Sequence, residues 1–399
     1  MSAALIFGEV AEGFEKVEQV FRQNFADGKE SGAACAVYYE GKKVVDLWGG
    51  YRDESSGAVW QEDTMVPVMS TSKGISSVSM LVAHARGYID FDRTVSSYWP
   101  EFAQEGKGDI TVRQLLSHQA GCCAIDEPLR MEDIADTARL ESALAKQKPL
   151  WKAGEYHGYH AVTLGWLESA LIRRCDPKGR SLGQFFQEEI AEPLGVEFYF
   201  GLPEVIPDER IAVMKTKPLW TSVFQLNKMP IRFVAALMNP FSVLNKTVKN
   251  PAVFKDPRNI NDRALMSLEV PAVCGLGRVE SMARLYGLLA VGGEALGLGE
   301  ETIKAVEEAA RPPAHGLLDR VLAQPTSFSL GYMKPFPGFP FGSDARAYGT
   351  PGAGGSFAYA DPTLQMGFAY GLTEMDFYLF DDPRDKALRE AAIRCIRAI

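Results

Sequence analysis

Apolar positions at Phe14, Val17, Val20, Phe21 and Phe25 repeat with a helical period and predict a helix over residues 8–28. The rhythm then changes. In AACAVYYEGKKVVDLWGG two β-rich runs flank Glu40-Gly41-Lys42, which predicts a hairpin. From about residue 70 to 300 the pattern is mostly helical. It is clearest in SVSMLVAHARGYI, TVRQLLSH, HAVTLGWLESALIRRC, LGQFFQEEIAEPL and VESMARLYGLLAVGG. β character returns in FSLGYMKPF and GGSFAYADPTLQMGFAYGLT, and RDKALREAAIRCIRAI closes the chain as an amphipathic helix. Strands at both ends around a helical middle predict one sheet built from both ends and covered by the terminal helices. The expected fold class is α/β, with an antiparallel sheet flanked by terminal helices plus a helical domain. Residues 1–69 and 300–399 form the sheet domain and 70–299 the mainly helical domain, with the site in the crevice between them.

Charge narrows the partners. The formal net charge is −9, with acidic and basic residues interspersed, which argues against nucleic acid and against an anionic membrane. No run is long and apolar enough to span a bilayer. The opening MSAALIFGEVAEGFEKVEQ carries Glu9 and Glu12 and no basic stretch before its short apolar run. It does not read as a signal peptide, and a cytoplasmic location is expected. Cys35, Cys122, Cys123, Cys175, Cys274 and Cys395 show no C-x-x-C spacing. They predict reduced, buried thiols rather than disulfides or a zinc framework.

The candidate chemistry starts in MSTSKGISS, residues 69–77, where Ser70-x-x-Lys73 is the one S-x-x-K of the chain. Ile75, Val78, Leu81 and Val82 continue with a helical period, so a helix starts near Ser70. Residues three apart then share a face. A serine there lies beside free N–H groups and the positive end of the helix dipole. A neutral, desolvated lysine is a base for its proton. On these nine residues alone, an ordinary serine-rich N-cap with a solvent-facing lysine is the commoner reading.

Four segments in order alter that balance: Ser70-Thr71-Ser72-Lys73, ITVRQLLSHQAG (110–121), WKAGEYHGYHAVTLGWLESALIRR (151–174) and YGTPGAGGSFAYADPTLQMGF (348–368). Together they resemble the serine β-lactamase and penicillin-binding-protein superfamily, in particular the family VIII carboxylesterases, which look like class C β-lactamases. The resemblance implies Ser70 as nucleophile, Lys73 as its lysine and Tyr159 as the proton-passing tyrosine, with Tyr156 as rival. It implies an oxyanion hole from the N–H groups of Ser70 and Ala353, and substrate contacts at Thr350, Gly352 and Gly354. No cofactor and no metal are implied. The class C pattern has Asn where this chain has Ala161, and Lys where it has Thr350. Those departures favour neutral esters over β-lactams, and imply that Thr350→Lys with Ala161→Asn would raise cephalosporin turnover.

Rival constellations are weaker. GGSFA at Ser356 lacks the last glycine of G-x-S-x-G and keeps a strand pattern. Glu155, His157 and His160 lack zinc-helix spacing, and His118 reads as a structural histidine at a helix end. CGLGRVE and ALGLGE lack the dinucleotide fingerprint. The expected function is hydrolysis of short-chain carboxylic esters, small-molecule substrates, through an acyl-Ser70 intermediate. The alternatives are a β-lactamase or D-amino-acid peptidase, an acyltransferase on the same scaffold, and a non-catalytic binding module. Trp220, Phe224, Met238 and Phe241 are acyl-pocket candidates, with core packing an equal reading.

Overall fold

Glu40 and Gly41, at φ 48° and 74°, close the predicted hairpin, the turn geometry that suits the right-handed twist of its strands. The computed structural model describes residues 5–217 and 228–399. Ten strands lie among them: β1 Ile6–Val10, β2 Gly32–Tyr39, β3 Lys42–Asp53, β4 Ala58–Val59, β5 Val66–Pro67, β6 Phe198–Phe200, β7 Gly275–Gly277, β8 Tyr348–Pro351, β9 Phe357–Asp361 and β10 Met366–Leu372.

The main sheet runs β1-β3-β2-β10-β9-β8, with β4 on β3. It is antiparallel, and Val37 opposite Phe368 joins its N-terminal half to its C-terminal half. Seven of the eight residues of β2 are buried, so polar–apolar alternation is lost. That is the mark of a strand covered on both faces. The helices Glu15–Ala26 and Pro383–Ile396 pack with each other over one face. The helix Val279–Ala290 covers the other. It comes so close that a Cβ on Gly367 would strike the backbone of Gly287.

Residues 6–10, whose last three fall in the predicted first helix, pair with β3 as an edge strand from Ile6↔Gly49 to Val10↔Val45. The helix begins at Glu15 because the apolar period itself begins at Phe14. FSLGYMKPF makes isolated bridges, among them Met333 with Gly349, rather than a strand. The helix Val279–Ala290 packs on the sheet although it lies within residues 70–299, the expected helical domain.

A small sheet, β5-β7-β6, leads into the 3₁₀ turn Met69–Thr71 and the helix Ser72–Ala85. Twelve of that helix's fourteen residues are buried. A helix buried all round is a central element rather than a surface one. No helix among the described residues is long and apolar enough to cross a membrane.

Candidate active site

Ser70 sits in the 3₁₀ turn immediately ahead of the buried helix, and three anchors fix that turn. The Val68 N–H donates to Gly275 O at 3.1 Å, and the Gly275 N–H donates to Ser72 Oγ at 3.0 Å. Ser356 Oγ lies 2.9 Å from Val68 O and 3.0 Å from Thr71 Oγ1. Ser356 therefore ties the loop after β8 to the nucleophile turn. A Cβ on Gly352 would run into that same Ser356 hydroxyl and the Val68 carbonyl.

Lys73 follows one helical turn on and is fully buried. Its Nζ lies 3.0 Å from Ser70 Oγ, 2.6 Å from Ala161 O and 2.8 Å from Ala272 O. Burial pulls its pKa down to about 7, with Glu168 pulling the other way. Glu168 is equally buried, takes its contacts from Ser76 and Ser77 at 2.6 and 2.7 Å, and is pushed up to about 7 by burial.

Tyr159 lines the same cleft wall as Ser70, and Ser70 is near enough to act on the ionisation of its phenol. Its ring centroid is 4.7 Å from Lys73 Nζ. Burial raises its pKa, so the neutral phenol is favoured, and the Ser70 contact offsets part of that rise. Tyr156 instead stacks on His315 at 4.5 Å and lies under Arg320. Asp319, which the sequence analysis missed, holds the Tyr159 segment. It is fully buried and accepts the N–H groups of Tyr159, Val321 and Leu322. Its acceptance from residues two and three positions on was a legible local signal.

The histidines of this region serve structure. His118 is buried at φ 61°, and its Nδ1 accepts the His160 N–H at 3.0 Å. His160 donates from Nδ1 to Gly158 O and accepts the Cys122 N–H at Nε2. An accepting nitrogen on each ring needs a neutral imidazole. Burial lowers both, His160 to about 4. No group of three metal-ligating side chains occurs among the described residues. The six cysteines are free thiols, and burial pushes Cys122 and Cys123 up to about 12.

Two cavity lobes meet at Ser70, Tyr159 and Ala353. One, about 260 Å3, runs along Gly352, Gly354 and Phe377 to Lys217 and Asp376. The other, about 220 Å3, is walled by Val162, Leu244, Val248, Phe254 and Val273. Phe233 and Leu322 line both. The lining is mainly apolar, as in binding sites for uncharged small molecules. Lys217, the one cationic lining side chain among the described residues, is 3.5 Å from Asp376 and 3.7 Å from Glu374.

The structure thus gathers Ser70, Lys73, Tyr159, Gly352, Ala353 and Gly354. Thr350 is corrected: its side chain is buried and lines neither lobe. It points under the nucleophile helix, where a Cβ on Gly74 would lie 2.7 Å from Thr350 Oγ1 and closer still to the Tyr286 hydroxyl. Strand alternation turns position 350 toward the helix and leaves the cleft to the residues after it. Met238 and Phe241 are 79% and 89% exposed and line neither lobe, while Trp220 and Phe224 lie outside the described residues.

A family model described as beta-lactamase matches residues 17–393. The chain belongs to the beta-lactamase family. It is 31% identical over 365 residues to the esterase/beta-lactamase LipL of Mycobacterium tuberculosis, covering 91% of this chain and 82% of that protein. It superposes on a family VIII carboxylesterase with TM-score 0.85 and 34% identity, over 98% of this chain and 100% of the other. A penicillin-binding-protein homologue from Caulobacter crescentus gives TM-score 0.83 and 34% identity at the same coverage. Within this beta-lactamase-family chain the antiparallel sheet, its covering helices and the helical region make up the family's α/β fold.

Proposed function

We propose that this protein is a serine carboxylesterase that cleaves small neutral esters through an acyl-Ser70 intermediate. One observation carries the reading. Ala161 O and Ala272 O can only accept, so they take two N–H groups of Lys73. The third tetrahedral direction faces Ser70 Oγ at 3.0 Å. Once the amine is neutral, that direction holds its lone pair, and the Ser70 hydroxyl donates into it. A pKa near 7 makes this state accessible at neutral pH.

Lys73 removes the Ser70 proton as Ser70 Oγ attacks the ester carbonyl. The N–H groups of Ser70 and Ala353, both on the wall shared by the lobes, stabilise the resulting oxyanion. Tyr159, neutral and beside Ser70 on the cleft wall, passes a proton to the leaving alkoxide. Water then attacks the acyl-enzyme by the reverse route, and Ser70 is released. The likeness to the esterase/beta-lactamase LipL and to a family VIII carboxylesterase supports ester hydrolysis. The paired state of Lys217 supports a neutral substrate, because no cleft cation is left for a carboxylate among the described residues.

A fluorophosphonate probe tests it: the adduct is expected on Ser70, and Ser70→Ala should lose activity by several orders of magnitude. Labelling elsewhere with Ser70→Ala still active overturns the mechanism.

A further inference from the structure

The net charge of −9 set the expectation of no membrane partner, but it conceals a local reversal. From Ile211 to Lys255 the chain carries Lys215, Lys217, Lys228, Arg232, Lys246, Lys249 and Lys255 and no acidic residue. Lys215, Lys217, Lys228 and Lys246 reach carboxylates from elsewhere in the chain. Among the described residues no carboxylate lies within 4 Å of Arg232, Lys249 or Lys255.

This segment contains a helical hairpin, Ile231–Met238 and Val243–Val248. Asn245 Nδ2 binds it together, reaching the carbonyl oxygens of Ala236, Leu237 and Asn239 at 3.1, 2.9 and 2.7 Å. Its inner side carries Phe233, Leu244 and Val248 into the cavity lobes. Its outer side is apolar too. Ile231, Ala235 and Met238 share one face at i, i+4 and i+7, and Phe241 follows at the turn. Ile231, Met238 and Phe241 are 84%, 79% and 89% exposed.

We propose that this hairpin docks on an anionic lipid layer, with Ile231, Met238 and Phe241 entering its apolar zone and Arg232 and Lys249 meeting the headgroups. Exposed apolar side chains ringed by cations match such a layer in both chemistry and depth. A second copy of the hairpin fits worse, because it would set like charges face to face. The acidic remainder of the molecule is repelled by the same layer, which turns the cleft wall toward it. Esters dissolved in the lipid would then meet the wall that carries Phe233.

The test is co-sedimentation of the full chain with phosphatidylglycerol–phosphatidylcholine vesicles and with phosphatidylcholine alone. Binding is expected only with phosphatidylglycerol and should fall at high salt. It should drop about tenfold or more in I231S/M238S/F241S and in R232E/K249E. Both variants should keep the wild-type Tm and the wild-type turnover of dilute, monomeric nitrophenyl butyrate. Pelleting is read without catalysis, so failure of the esterase reading leaves this outcome intact. No pelleting by the wild type, or pelleting that neither variant weakens, overturns the proposal. So does a dimer, seen by light scattering, that I231S/M238S/F241S dissociates in the absence of lipid binding.

Discussion

Both carboxylate oxygens of Asp319 face the backbone N–H of Tyr159, at 3.2 and 3.1 Å. The contact bridges 160 residues of chain and is made by a fully buried carboxylate. It sets where the Tyr159 ring emerges relative to Ser70. Asp319→Ala leaves the N–H groups of Tyr159, Val321 and Leu322 without this acceptor. At about 1–3 kcal/mol for each buried donor left unpaired, it should lower Tm by many degrees. Asp319→Asn keeps an acceptor and should fold better, with kcat reduced more than KM is raised. Equal kcat for Asn and wild type would remove Asp319 from the positioning of Tyr159.

The pH profile follows from Lys73. Its amine must be neutral to accept the Ser70 proton, so kcat/KM should rise with pH and level off above about 7. Stability changes in the same direction. The folded pKa lies below the ordinary 10.5, so from about pH 7 to 10.5 the unfolded chain holds a proton the folded one lacks. Lys73 thus adds up to about 1.4 kcal/mol of stability per pH unit through that window. Glu168 acts oppositely: its folded pKa is raised, so stability is lost as pH climbs from 4.5 to about 7. Urea melts of wild type and Lys73→Met at pH 7, 8.5 and 10 separate the lysine's share. A wild-type slope identical to that of Lys73→Met would refute it.

Gly352→Ala probes the seam between the oxyanion loop and the nucleophile turn. The new methyl would meet Ser356 Oγ and the carbonyl of Val68, which is backbone and cannot swing aside. The loop must move outward, carrying the Ala353 N–H away from the reacting oxygen. A loss of one oxyanion donor is worth about a hundredfold or more in kcat. Kinetics on nitrophenyl butyrate should show that loss with KM changed far less. A Gly352→Ala enzyme with wild-type kcat would place the oxyanion donor elsewhere.

Substrate preference is expected to lie with neutral esters. Nitrophenyl acetate or butyrate should be turned over with a far higher kcat/KM than a chromogenic cephalosporin. Thr350→Lys should not reverse this order, because position 350 points toward Tyr286 beneath the helix. A lysine there would bury an uncompensated charge and lower Tm. Cephalosporin turnover above ester turnover in the wild type, or a stable Thr350→Lys enzyme that gains it, would contradict the site geometry.

Several features were legible in the chain itself. The i, i+3 spacing of Ser70 and Lys73 on a helix is local and follows from helical geometry. The Glu40-Gly41 turn and the β-rich runs on either side of it are local as well, and so is the return of strand pattern near the C-terminus. Tyr159, rather than Tyr156, is what the family resemblance implies, and its segment runs into the helix Thr163–Cys175.

The rest needed the folded chain, because it depends on groups far apart in sequence or on backbone atoms that carry no sequence signature. Lys73 Nζ takes its carbonyl partners from Ala161 and Ala272, 88 and 199 positions away. Any residue type supplies a carbonyl oxygen, so no motif announces them. Thr350 looked like a substrate contact until the packing of β8 on the nucleophile helix turned it inward. Met238 and Phe241, apolar and apt for a pocket, lie outside it because the helix Ile231–Met238 turns Phe233 toward the cleft and leaves Met238 and the following turn exposed. The sequence by itself determined which groups can react. The tertiary structure decided which of them are desolvated and which way they face, since burial and direction arise only when distant segments pack.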